Sequence, residues 1–146
     1  MKKEREIHMK IKVLLVAPGR EVQKVKIPAS IKFIKSLIGE DLIRLNISNK
    51  IAIFANKNPN VDEFNRLYKG NVMMGLFLVV GLKNQKLVSL KKREMKRYIN
   101  LFKLSKHKVK IEKLKEEFLE KYYAKQINLK RKANKENRQR IFGLAA

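Results

Sequence analysis

The sequence predicts an α+β fold: a largely antiparallel sheet of five or six strands with two packed helices, followed by a basic C-terminal helical extension. Short β-branched and apolar runs, separated by turn residues, fill much of residues 10–90 and predict the strands. Two segments have apolar residues at helical spacing. Between Gly81 and Gly143 there is no Gly or Pro, so helix can fill the rest of the chain. We therefore predict an α+β domain at residues 1–104 and an extension at residues 105–146.

The first predicted elements are a β-hairpin and a short helix. Residues 11–16 are β-branched and leucine-rich, Pro18-Gly19 has turn chemistry, and residues 22–27 show an imperfect apolar alternation. After Pro28, apolar residues at i, i+3 and i+7 predict an amphipathic helix over residues 30–38. Gly39 then provides a C-terminal stop.

The middle of the chain predicts further strands. Residues 42–47 and 51–55 form two of them, connected through residues 48–50. A loop with a helical turn around Phe64, Leu67 and Tyr68 comes next. Residues 72–80 are apolar without alternation, which predicts one long central strand buried on both faces. We expect the short segment KLVSL to pair with it.

The second predicted helix covers residues 89–104, with Ser89 as its N-cap. Its apolar residues, at i, i+3, i+4 and i+7 from Met95, dock one face on the sheet. Ser105 is the expected break before the helical extension, which reaches residue 141. In the extension a stripe containing Ile111 and Tyr122 favours burial, against the domain or by self-association.

The charge balance is the most unusual property of the composition. The 146 residues include 36 Lys and Arg but only 13 Asp and Glu, a formal net charge of +23. An A/T-rich coding bias would raise Lys, but it would raise the acids as well. The excess therefore favours attraction to a polyanion. Residues 1–104 hold 23 bases and 8 acids, and residues 105–146 hold 13 and 5, so both regions are basic.

Known catalytic and metal-binding patterns do not occur in the sequence. There is no cysteine, and His8 and His107 have no partner at metal-ligand spacing, so we expect both to be solvated imidazoles. The serines lack a nucleophile elbow, and the glycines form no phosphate-binding loop. We therefore predict a non-enzymatic protein without cofactor or metal.

The sequence also bears on location. The N-terminal apolar run is too short and interrupted for a signal peptide, and the most apolar segment, VMMGLFLVVGL, has 11 residues where a membrane-spanning helix needs about 20. In the extension, glutamates interrupt the polar face that an interfacial helix would present to lipid. We expect a cytoplasmic protein and do not expect a membrane partner.

Two basic clusters are the candidate nucleic-acid-binding residues. The first lies on the outer face of the second predicted helix, and the second lies near the C-terminus, where helical spacing distributes the charge around the helix. Such a distribution suits phosphate contact more than base recognition, although a solvated helix face is the simpler alternative. The candidates are Lys91, Lys92, Arg93, Lys96, Arg97, Lys130, Arg131, Lys132, Lys135, Arg138 and Arg140.

A family resemblance extends over roughly residues 9–102. Pro18-Gly19, Gly39, the Asn65-Arg66 pair and Gly75 stand in an order that resembles a family of uncharacterised small proteins from phages, plasmids and conjugative elements. The resemblance implies an accessory protein of a mobile genetic element and carries no catalytic residues. We expect a nucleic-acid-binding protein. The alternative is an inhibitor of a host defence system, of anti-restriction or anti-CRISPR type, that binds a nucleoprotein effector.

Overall fold

The computed structural model describes residues 9–59 and 63–145, and the side chains of its last helix as far as residue 133. The chain divides into two compact units, Met1–Ile111 and Glu112–Ala146. The helices are α1 (Ile31–Ile38), α2 (Lys92–Leu101) and α3 (Leu104–Ala145). The strands are β1 (Lys10–Val16), β2 (Gln23–Pro28), β3 (Leu42–Asn46), β4 (Ile51–Asn56), β5 (Phe64–Tyr68), β6 (Asn71–Met74), β7 (Phe77–Lys83) and β8 (Lys86–Val88).

The main sheet has six strands in the order β2-β1-β7-β4-β3, with β8 also pairing with β7. Its strand pairs are antiparallel. Strands β5 and β6 form a separate two-stranded sheet. These strands confirm the predicted α+β fold with an antiparallel sheet of about six strands.

Each face of the main sheet is covered by a helix. Successive residues of a strand point to opposite faces, and β1 shows the consequence: Leu14 packs with Tyr98 and Phe102 of the α2 region, while Val13 packs with Ile34 of α1. Both clusters are formed by buried apolar side chains. Burial of each such side chain stabilises the fold by about 1.5–3 kcal/mol.

The predicted first hairpin and first helix are confirmed. The turn between β1 and β2 has Gly19 at a φ of 70°, and the Arg20 N–H donates to the Ala17 carbonyl at 3.2 Å. The Ser30 hydroxyl caps α1 by accepting from the Phe33 N–H at 3.2 Å, a bond typically worth about 1 kcal/mol. At the other end, the Gly39 N–H donates to the Lys35 carbonyl at 2.8 Å.

The prediction of one long strand over residues 72–80 is wrong. Gly75, at a φ of 74°, separates β6 from β7, and only β7 is central in the main sheet. The predicted helical turn around Phe64, Leu67 and Tyr68 is also wrong, because these residues lie in β5. The two-residue connection Lys69-Gly70 has positive φ at both positions, which is the geometry that pairs neighbouring strands tightly.

The helices differ from the prediction in number and at their ends. Ser89 does not cap α2: its hydroxyl accepts from the Lys12 N–H at 2.8 Å and so connects to β1. The N-cap residue is Lys91, whose N–H donates to Glu94 Oε1 at 2.8 Å. The break before α3 lies at residues 102–103, just ahead of the predicted Ser105.

The first turns of α3 also belong to the first unit, where Ile111 is 9% exposed. The prediction of two packed helices therefore underestimates the number of helices that pack in the first unit. The boundary between the two compact units follows Ile111.

Candidate nucleic-acid interface

A basic groove lies between α2 and the edge of the main sheet at β2. Its volume is about 700 Å³. We call it the strand–helix groove. It is lined by Glu21, Val22, Lys24, Lys92, Arg93, Met95, Lys96, Ile99, Asn100 and Lys103.

The strand register places Lys24 in this groove. Lys24 pairs with Leu14 across β1 and β2, and directly opposed residues of antiparallel strands point to the same face. Leu14 packs in the cluster that contains Tyr98 of α2, so Lys24 lies on the α2 side of the sheet. Because β2 is the edge strand, the side chain meets solvent there instead of a further strand. Lysine at an edge also hinders pairing with another chain, which is its simpler structural role.

Helix α2 supplies the opposite wall and the apolar floor. Met95 is buried and Ile99 half-buried against the core, whereas Lys92, Arg93 and Lys96 are exposed. Three predicted site residues are thus brought together in one groove. Lys24 and Lys103 were not among the predicted site residues. The helical spacing of Lys103 from Lys96 and Ile99 was a usable signal for the latter.

The groove carries five cationic side chains and one carboxylate. That carboxylate already has a structural role, because Glu21 Oε1 accepts from the Leu104 N–H at 3.2 Å at the start of α3. Closely spaced like charges create a positive potential that a bound polyanion would neutralise. The apolar floor adds a surface that excludes water from one side of a ligand.

The other two residues of the first predicted cluster, Lys91 and Arg97, lie in different surroundings. Lys91 lines a smaller hollow of about 310 Å³ beside Lys50, Lys83 and Glu94. The Arg97 guanidinium lies over the ring of Tyr98, 5.6 Å from its centroid. The predicted basic face is therefore divided among three surroundings, and the strand–helix groove holds its largest share.

The C-terminal candidates lie on α3 in the second unit. Lys130, Arg131 and Lys132 are exposed, and their helical positions direct them around the helix. The side chains of Lys135, Arg138 and Arg140 lie outside the described residues, although their backbone is helical. In the same unit Tyr122 and Tyr123 are 45% and 59% exposed, with ring centroids 5.8 Å apart.

A buried polar network holds the walls of the groove in place. The Arg66 side chain is 0% exposed and donates to the carbonyls of Phe102 at 2.8 Å, Ala17 at 3.3 Å and Arg20. Asn65, 2% exposed, donates to the Val16 and Gly75 carbonyls. Burial lowers the pKa of Arg66 from its ordinary value, and the negative charge of Glu21 partly offsets this effect.

His107 is buried, so the predicted solvated imidazole is wrong for this residue. Its Nδ1 accepts from the Leu67 N–H at 3.1 Å, which requires the proton on Nε2, 2.8 Å from the Leu101 carbonyl. The partners that the sequence could not reveal are thus supplied by β5 and by the last residue of α2. His8 lies outside the described residues.

The described part of the chain contains no cluster of three or more His, Cys, Asp or Glu side chains that could hold a metal ion. Within the same residues, no helix has both the length and the apolar character needed to cross a bilayer.

Comparison with known proteins identifies a family for most of the first unit. Residues 9–103 match the family described as Domain of unknown function (DUF3846). No curated protein and no solved structure matches the chain. The match includes the strand–helix groove and the Asn65-Arg66 pair, and α3 continues beyond it. Because the matched segment is well over half of the 146 residues, the chain belongs to the DUF3846 family.

Proposed function

We propose that this protein binds nucleic acid, largely through phosphate contacts, as a non-enzymatic cytoplasmic accessory protein of a mobile genetic element. The main support for the proposal is the strand–helix groove, whose lining includes five cationic side chains and one carboxylate. The net charge of +23 adds a long-range attraction that would raise the rate of encounter with a polyanion. The mobile-element context rests on the resemblance of residues 9–102.

The identity of the cations favours phosphate contact over base recognition. Four of the five are lysines, and an ammonium group acts as a point charge, whereas base recognition typically uses bidentate Arg, Asn or Gln. Four of the five cations lie on β2 or α2, whose regular backbone fixes their spacing. We therefore expect affinity with little dependence on sequence.

A salt titration tests the proposal quantitatively. Each neutralised phosphate contributes a slope of about −0.9 to log K against log salt for B-DNA, so the five groove cations predict a slope of about −4 to −5, to which phosphate contacts of the α3 cations add. Fluorescence anisotropy with labelled DNA and RNA at several salt concentrations measures it. Absent binding, or affinity that ignores salt, would falsify the phosphate-contact model.

A charge-reversal pair distinguishes the groove from the overall charge. The double variant Lys92→Glu and Lys96→Glu should weaken binding at least about tenfold and reduce the salt slope by about 2. The matched control is Lys32→Glu with Lys35→Glu on α1, which covers the opposite face of the sheet. Equal losses in both variants would show that net charge alone, and not the groove, determines binding.

The second candidate function is inhibition of a host defence system through a nucleoprotein effector. One observation favours a protein partner: on α3, exposed apolar side chains recur at Tyr122, Tyr123, Ile127 and Leu129. Helices with such residues commonly dock in grooves of other proteins or pair with copies of themselves. Pull-down from host lysate with and without nuclease, together with the mass in solution, separates these cases. A nuclease-resistant partner supports the inhibitor.

A further inference from the structure

A second groove lies along another side of α2 and differs in chemistry from the first. Its volume is about 600 Å³, and it is bordered by the β3–β4 turn, the β5–β6 hairpin, α2 and the start of α3. We call it the tyrosine groove. Its polar and aromatic lining includes Tyr68, Lys69, Arg97, Tyr98, Asn100 and Lys106, with no acidic residue among the lining side chains.

Tyr68 is the aromatic surface that this groove offers to a ligand. Its ring is half-buried and rests against Phe102, with centroids 5.9 Å apart and an angle of 49° between the planes. This contact fixes the orientation of the ring. Lys69 is exposed, and its Nζ lies 5.4 Å from the Tyr68 centroid. A surface side chain can therefore reach this face of the ring. Tyr98 is only 2% exposed, so it supports Arg97 and does not offer its own ring.

The two grooves meet at Asn100, which lines both. Lys106 Nζ donates to Asn100 Oδ1 at 3.0 Å, which places an additional positive charge at the junction. A chain that follows the cations of the strand–helix groove can therefore continue past Asn100 into the tyrosine groove, whose own lining has no acidic residue. Lysines next to a held aromatic ring are the combination that binds a phosphate backbone and an unpaired base together.

We propose that the tyrosine groove binds an unpaired base by stacking on Tyr68, so that the ligand class is single-stranded nucleic acid. This inference rests on the proposed function, because the strand–helix groove has to hold the adjoining phosphates. A base inside a duplex is covered by its neighbours and cannot reach the ring, whereas an unpaired base exposes its face. Stacking is worth roughly twice an exposed cation–π contact, so a base can displace Lys69 from the ring.

Variants at Tyr68 test the stacking contact. Tyr68→Leu keeps an apolar side chain against Phe102 but removes the aromatic face, while Tyr68→Phe retains that face. The ligands are oligothymidylate of about 12 nucleotides, within the usual site sizes, and a duplex of similar length. Tyr123→Leu, at a ring that is 59% exposed in the second unit, is the matched control. Urea denaturation of each variant confirms that it is folded.

We expect Tyr68→Leu to weaken oligothymidylate binding roughly 5- to 150-fold and duplex binding less than about 2-fold. Tyr68→Phe and Tyr123→Leu should bind both ligands like the original protein. Unchanged oligothymidylate binding by Tyr68→Leu, or an equal loss for duplex, overturns the stacking site while leaving phosphate binding by the strand–helix groove intact. If the original protein binds neither ligand, the proposed function itself has failed.

Discussion

The Arg66 guanidinium donates through Nε to the backbone carbonyl of Phe102 at 2.8 Å, and both side chains are completely buried. Phe102 immediately follows α2, while Arg66 lies in the middle of β5. The same guanidinium donates to Ala17 and Arg20 in the β1–β2 turn, next to Glu21 of the strand–helix groove. One side chain therefore connects the end of α2 with the loop on the other side of that groove.

Replacing Arg66 with Met should strongly destabilise the first unit. Met occupies similar space but leaves the carbonyls of Phe102 and Arg20 without this donor, and each buried unsatisfied group costs about 1–3 kcal/mol. Relief of the buried charge offsets part of the loss, so we expect a decrease of about 3 kcal/mol in the free energy of unfolding. Urea denaturation measures it.

The control for this variant is Arg20→Ala. Arg20 is exposed, and its contribution to the network is a backbone carbonyl, which the substitution retains. We expect a change within about 0.5 kcal/mol. A loss as small as this for Arg66→Met would mean that the carbonyls find other donors and that Arg66 does not hold the groove together.

The fold was largely predictable because its signals are local. Apolar spacing identified α1 and α2, and turn residues separated most strands of the main sheet. The errors occurred where the backbone conformation of one residue decides whether a segment is one strand, two strands or a helical turn. An apolar run does not reveal the bend at Gly75, and the positive φ of Lys69 converts an apparent helical turn into a strand pair. The Gly75 bend also involves Asn65, whose side-chain amide donates to the Gly75 carbonyl at 2.8 Å.

The candidate site was only partly predictable. Helical spacing grouped Lys92, Arg93 and Lys96, which the structure brings together. Lys24 could not be assigned, because its place depends on the register of β2 against β1 and on the edge position of β2. The burial of Arg66 could not be inferred either, since charged side chains are almost always exposed unless they have partners.

His107 should contribute to the attachment of α3. His107→Phe retains an aromatic ring beside Phe102, whose centroid is 6.2 Å from that of His107, but it cannot bond to Leu67 or Leu101. Losing these two bonds should lower the free energy of unfolding by about 2 kcal/mol. Urea denaturation gives the stability, and hydrogen exchange should show faster exchange of the Leu67 amide.

The control at this site is Val109→Ala. Val109 lies on the same helix and is 76% exposed. It should change the stability by less than about 0.5 kcal/mol. Unaltered protection of the Leu67 amide in His107→Phe would mean that the imidazole bond does not restrain this part of β5.

Tyr98 should make the protein sensitive to alkaline pH. Burial raises the pKa of Tyr98 above the ordinary 10.0, an effect that the nearby Arg97 charge reduces in part. The folded state therefore keeps the phenol proton at a pH where the unfolded state has lost it. The stabilising effect is complete below pH 10.0 and declines as the pH rises from there through the folded-state pKa.

Comparison with Tyr98→Phe isolates this contribution, because the substitution removes only the phenol group. The stability of the original protein relative to Tyr98→Phe should be constant at lower pH and should decrease as the pH rises beyond about 10. A parallel decline in Tyr98→Phe would assign the sensitivity to other groups.

Deletion of residues 127–146 should weaken polyanion binding without unfolding the first unit. The deleted segment contains Lys130, Arg131 and Lys132, which are exposed, and lies wholly in the second compact unit. Six basic residues are removed with one acid, so the salt slope for DNA should decrease by up to about 5. The free energy of unfolding measured by urea should change by less than about 0.5 kcal/mol. A large loss of stability would show that the segment is part of the core, whereas an unchanged salt slope would confine the phosphate contacts to residues 1–126.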